Sequence, residues 1–191
     1  MSFAKNYFDN KDIDGLKSTI TPNWESTESH LALLDPPYCE RVLEVGCGIG
    51  RMGQAVCDLD SVREYVGVDA SEAMIREACN YCTNSKAEFY MVDGTGNLNC
   101  IDGEFDWAFC WLVFQHIEDD DAVQLYFNSV CDLLKPGCVF TWQSLWDNEK
   151  PDNPLWVWRS AREFRMIALV AGFSSTVIER SGRWMIGRSE V

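Results

Sequence analysis

Three glycines at alternate positions follow a β-branched run and an acid in Val42-Leu43-Glu44-Val45-Gly46-Cys47-Gly48-Ile49-Gly50. Glycine lacks a Cβ and accepts positive φ, so this turn lets a chain leave a strand sharply while a ligand approaches its main-chain N–H groups. Gly48-Ile49-Gly50-Arg51-Met52-Gly53 also fits the dinucleotide fingerprint G-x-G-x-x-G. Asp69 falls at about the 20-residue offset expected of a ribose-binding acid. The turn alone therefore leaves open whether the ligand is a nicotinamide dinucleotide or something else.

Other residues could carry chemistry. His116, in Trp111-Leu112-Val113-Phe114-Gln115-His116-Ile117, has an ordinary pKa of about 6.5, which suits proton removal near neutrality. The alternative is a histidine that fixes the loop before the next helix. Trp142, Trp146, Trp156 and Trp158 crowd one stretch, where indoles could sandwich a planar compound or hold a cation over their faces. Packing under a long loop is the competing reading for at least half of them. Glu118-Asp119-Asp120-Asp121 looks like a metal cluster, but capping and the helix dipole account for acids at a helix start, so no metal is assigned. Cys79-Asn80-Tyr81-Cys82 is either half a zinc site or two thiols one turn apart on a helix. Cys47 is expected to be a small residue facing the sheet rather than a nucleophile.

The elements that must position these groups alternate. A helix is expected from Ser26 to Leu34, stopped by Asp35-Pro36-Pro37. Then come a strand at Arg41 to Val45, a helix at Arg51 to Leu59, a strand at Tyr65 to Val68 and a helix at Glu72 to Cys82. Strands at Ala87 to Val92 and Phe105 to Trp111, a helix at Asp120 to Leu134, a strand at Cys138 to Trp142 and a helix at Ala161 to Ala171 follow. This alternation implies parallel pairing with right-handed crossovers, hence an α/β, doubly wound, Rossmann-like sheet. Ser175 to Glu179 and Trp184 to Gly187 are separated by too few residues for a crossover helix and must form an antiparallel hairpin.

The 191 residues suffice for a single α/β domain, with 1–40 as an N-terminal helical or lid segment carrying Tyr7, Phe8 and Trp24, and 41–191 as the core. A dehydrogenase would need a further substrate domain. Thirty acidic residues against sixteen basic give a net charge of −14, which disfavours nucleic acid and anionic membranes as partners. The amino terminus has no apolar signal core, the longest apolar run is too short to span a bilayer, and the nine scattered cysteines fit reduced thiols, so a cytoplasmic protein is expected.

Six ordered landmarks resemble the class I S-adenosylmethionine (SAM)-dependent methyltransferases: Glu44 to Gly50, Val66-Gly67-Val68-Asp69-Ala70-Ser71, Val92-Asp93-Gly94, Phe105-Asp106, Leu134-Lys135-Pro136-Gly137 and Ala171-Gly172-Phe173. The resemblance implies a seven-stranded methyltransferase fold whose cofactor is SAM and whose product is S-adenosylhomocysteine (SAH). It places Gly46, Cys47, Gly48 and Gly50 against the methionine portion and Glu44 near its ammonium. Arg51 is a candidate for the cofactor carboxylate, or a solvated first-turn arginine. Asp69 with Ala70 would hold the ribose, unless Asp69 only caps a helix; Asp93 and Gly94 would face the adenine, unless they only make a turn. Trp111, at the end of the fourth strand, joins this cofactor set.

His116 becomes the candidate base, and Trp24, Trp142, Trp146 and Trp156 the acceptor contacts, with 143–160 as an acceptor-side insertion. Gly46 to Arg51, His116 and Val157-Trp158-Arg159 also resemble the protein N-terminal methyltransferases. Where those carry acids for a substrate amine, this chain has Ser160 and Arg162, so a small-molecule acceptor with an O or N nucleophile is expected ahead of a peptide. A nicotinamide-dependent reductase and a SAM-binding module without turnover remain the alternatives.

Overall fold

A computed structural model of the chain describes residues 27–146 and 156–191. The elements are α1 (Thr27–Leu34), β1 (Arg41–Val45), α2 (Arg51–Cys57), β2 (Glu64–Asp69), α3 (Glu72–Tyr81), β3 (Ala87–Met91) and β4 (Phe105–Cys110). A single 3₁₀ turn, Phe114–His116, leads to α4 (Asp120–Leu133), β5 (Leu134–Leu145), α5 (Ala161–Ala171), β6 (Ser175–Ser181) and β7 (Trp184–Glu190).

The helix ends follow from local chemistry. Ser71 caps α3 by accepting the Met74 amide at 3.3 Å. Asp119 caps α4 by accepting the Asp121 amide at 3.0 Å, so part of the acidic run satisfies helix donors. Ser160 and Glu163 form a capping box at the start of α5, and Gly172 at φ 105° ends that helix.

The seven strands form one sheet in the order β3-β2-β1-β4-β5-β7-β6. β1 pairs in parallel with β2 and β4, β2 with β3, and β4 with β5; β7 runs antiparallel between β5 and β6. Alternate residues of the central strands serve two cores. Val42, Tyr65, Trp107 and Phe109 pack with Leu34 of α1 and Met52 and Val56 of α2. Leu43, Val45, Val66, Phe140 and Trp142 pack with Phe127 of α4 and Phe164 and Ala168 of α5. Full burial of such side chains is worth about 1.5–3 kcal/mol each.

The expected α/β sheet and hairpin are present, with β6 and β7 each seven residues long rather than five and four, and a larger revision at β5. β5 runs for 12 residues rather than the five of Cys138 to Trp142. Its first residue pairs with Phe105 and its last, Leu145, with Trp184, so neighbouring strands on both sides extend it. Residues 143–145 of the 143–160 stretch are therefore part of β5, and residues 147–155 lie outside the described set, as does Trp24. Among the described residues no helix is long and apolar enough to cross a membrane.

Candidate functional site

The chain leaves β1 at Val45 and folds back at once, because the Gly46 and Cys47 amides both donate to the Val68 carbonyl of β2, at 2.8 and 2.9 Å. Gly46, Gly48 and Gly50 hold φ values of 75°, 53° and 78°, a region that side chains disfavour. Their surroundings differ. A Cβ on Gly46 would collide with the Val113 side chain, whereas one on Gly48 would meet no atom within 4 Å. Gly46 is thus fixed by packing, and Gly48 presents bare backbone to open space at the carboxyl ends of the parallel strands.

Asp69, the last residue of β2, ties this turn to its neighbour. One carboxylate oxygen accepts the Gly48 amide and the other the Ser71 amide, each at 2.9 Å. The helix cap is Ser71, not Asp69. Gly94 after β3 packs on Ala70, with a built Cβ 3.1 Å from the alanine methyl, which brings the ends of β2 and β3 together. Asp93 is exposed, and one of its oxygens closes a turn on the Thr95 amide and hydroxyl at 2.8 and 2.7 Å.

Behind the turn lies Glu44, 2% exposed on β1, with the Tyr65 hydroxyl donating to its carboxylate. Burial pushes this carboxyl up to about 8, against the hydrogen bond from Tyr65 and the charge of Arg51, which pull it down. Arg51 itself is half-buried at the start of α2. Burial also holds the Cys47 thiol well above its usual range, which leaves it a packing residue. Trp111 is 5% exposed and tilts against His30 of α1 at 5.3 Å, and its indole N–H has no hydrogen-bond partner among the described residues. A buried unmet donor beside the glycine turn is a place for a ligand acceptor.

The loop after β4 carries the second half of the site. Leu112 sits at φ 60°, strained for a side-chain-bearing residue, and its amide donates at 2.8 Å to the buried Gln143 side chain on β5. Arg159, 4% exposed, clips the rest of the loop: its guanidinium donates to the carbonyls of Phe114 at 3.3 Å and Ile117 at 2.8 Å, and to Asp120 of α4 at 2.7 Å. The Val157 amide donates to the Gln115 carbonyl at 2.6 Å. His116 is thereby held at the end of the loop, with its ring 6.4 Å from that of Trp156.

Trp156 in turn lies 6.1 Å from Trp184, the first residue of β7. The Arg183 guanidinium sits over both indoles, 4.9 Å from one centroid and 5.5 Å from the other. Arg180 lies over half-buried Trp146 at 5.7 Å.

The expected residues thus divide. Glu44, Gly46, Cys47, Gly48, Gly50, Arg51, Asp69 and Ala70 lie in or just past the ends of β1 and β2, with Asp93 and Gly94 after β3 and Trp111 after β4. His116, Trp146 and Trp156 gather at the adjoining end of β4, β5 and β7. Trp142 needs correction as an acceptor contact: it is fully buried, stacks on Phe164 at 4.4 Å and donates its N–H to Ser189. Gln143, Arg183 and Trp184 carry no site role in the sequence pattern, and Arg159 enters it only within the Val157-Trp158-Arg159 string, just before the Ser160 capping box.

Comparison with known proteins identifies the family and the fold. A family model described as a methyltransferase domain matches residues 42–137. Phosphoethanolamine N-methyltransferase of Triticum aestivum is 33% identical over 115 residues, which is 59% of this chain and 22% of that enzyme. The match therefore spans about a fifth of the curated relative's length. Among solved structures, the complex between the Haloferax volcanii Trm112 methyltransferase activator and its methyltransferase matches with a TM-score of 0.77 at 18% identity, over 96% of this chain and 97% of that one. The DhpI-SAM-HEP complex matches with a TM-score of 0.76 at 18% identity over the full length of both chains. At such identities the structural likeness establishes the fold.

Proposed function

The chain belongs to the methyltransferase-domain family, and on that basis we propose that it is a SAM-dependent enzyme methylating an O or N nucleophile of a small-molecule acceptor. The observation that carries this reading is the bare backbone at Gly48 beside the Asp69 carboxylate. That pairing suits a nucleoside ligand with free ribose hydroxyls. When bound, SAM supplies an electrophilic methyl group on a sulfonium.

The chain's own residues do the rest. The main chain from Gly46 to Gly50, with Cys47 packed beneath, accommodates the methionine portion. Glu44 faces its ammonium and Arg51 its carboxylate. Asp69 and Ala70 hold the ribose, Asp93 and Gly94 border the adenine, and the Trp111 N–H supplies one further donor. Alignment of this kind is worth about 7–11 kcal/mol of barrier, so positioning is the main task. His116 takes the proton from an acceptor that arrives protonated, and Trp156 and Trp146 flank that acceptor.

The wheat relative, named for a small phosphorylated amine, supports a small acceptor over a peptide. So does the absence of acids at Ser160 and Arg162. The test is SAH release from a library of small hydroxy and amino compounds and N-terminal peptides. Acceptor-dependent release by the small compounds, reduced about 100-fold in His116→Ala, is expected of a general base. Release with peptides alone would overturn the acceptor class, and an unchanged rate in the variant would remove the base.

A further inference from the structure

Resting on that methyltransferase reading, we infer that Arg183 selects acceptors bearing a carboxylate or phosphate group. An aromatic cluster beside a methyl-transfer site invites a cationic ligand, but here the indole faces already carry a cation. Arg183 covers Trp156 at 4.9 Å and Trp184 at 5.5 Å, and Arg180 covers Trp146 at 5.7 Å. A second positive charge over the same faces would meet like-charge repulsion.

A guanidinium held over an aromatic face keeps N–H donors that suit a planar or tetrahedral anion. Other arginines of the fold have carboxylate partners: Arg41 with Glu64, Arg159 with Asp120 and Arg188 with Glu179. Among the described residues Arg183 forms no such pair, although the chain carries 30 acidic residues. Its place is also specific. The β6–β7 turn lies at the carboxyl end of β5, because Leu145 pairs with Trp184, and Trp156 links Arg183 to His116. In a chain of net charge −14, such a local cation is what lets an anionic acceptor approach.

The test uses the full chain saturated with SAH, titrated calorimetrically with phenyl phosphate, benzoate and phenol as matched probes. SAH affinity, measured first, reports on the cofactor reading separately: failure there sinks that reading, not the selection argument alone. With SAH bound, phenyl phosphate or benzoate should bind at least about tenfold more tightly than phenol, as charge-assisted hydrogen bonds imply. The two anions distinguish phosphate from carboxylate selection. Arg183→Met should abolish the preference while leaving SAH affinity unchanged, and Arg183→Lys should retain part of it. Equal binding of phenol, no saturable binding by either anion, or an unaltered preference in Arg183→Met would overturn the inference.

Discussion

Gly48 and Glu44 differ in what surrounds them, open space at one and a buried hydrogen bond from Tyr65 at the other. Gly48 meets nothing that would resist a methyl group, so Gly48→Ala should cost only the left-handed strain, about 1–2 kcal/mol in denaturant unfolding. Its SAH affinity should nevertheless fall more than about tenfold if the cofactor lies against that backbone. Unchanged affinity would remove the turn from the site. Glu44 predicts a pH effect whose sign is fixed. In the unfolded chain its carboxyl ionises near 4.5, in the folded protein near 8, so between these values the folded state holds the extra proton. Its contribution to stability is therefore greatest at low pH and declines as pH rises through that window. Glu44→Gln, which keeps an acceptor for Tyr65, should flatten the fall in unfolding free energy between about pH 5 and pH 8. The same slope in both proteins would show that Glu44 is ionised within the fold.

At the scale of elements, the post-β4 loop depends on the segment entering α5. Arg159 satisfies the Ile117 carbonyl, adds a second donor to that of Phe114 and pairs with Asp120 from a nearly inaccessible position, so Arg159→Ala removes all three contacts. We expect a loss on the order of 3 kcal/mol in denaturant unfolding and a lower kcat as His116 loses its support. A loss of stability with kcat untouched would mean that the clip does not position His116. Little of this was legible in the sequence, because a lone arginine has no periodicity. Strand and helix periods placed β1 and α5 correctly, since both are bounded by clear turn or capping residues. β5 was underestimated because its ends are made by distant partners, β4 and β7. Trp142 was misassigned for a related reason: it shares the strand face of Phe140, and that face turns inward only once α4 and α5 cover it.

Over the whole molecule, the strand order β3-β2-β1-β4-β5-β7-β6 brings the carboxyl ends of β1, β2, β4 and β5 and the β6–β7 turn to one end of the sheet. The proposed nucleoside side lies at β1 and β2, and the proposed acceptor side at β4, β5 and that turn. The first set of residues lies in short local motifs that a sequence displays; Arg183 and Trp184 come beside Trp156 only through the antiparallel hairpin, which no local motif displays. The glycine turn and Asp69 are proposed to receive SAM rather than a nicotinamide dinucleotide. Calorimetric titration of the full chain with SAH, and separately with NADPH, tests it most directly. SAH should bind at one site per chain and NADPH should give no saturable heat; saturable NADPH binding, or none by SAH, would contradict the account.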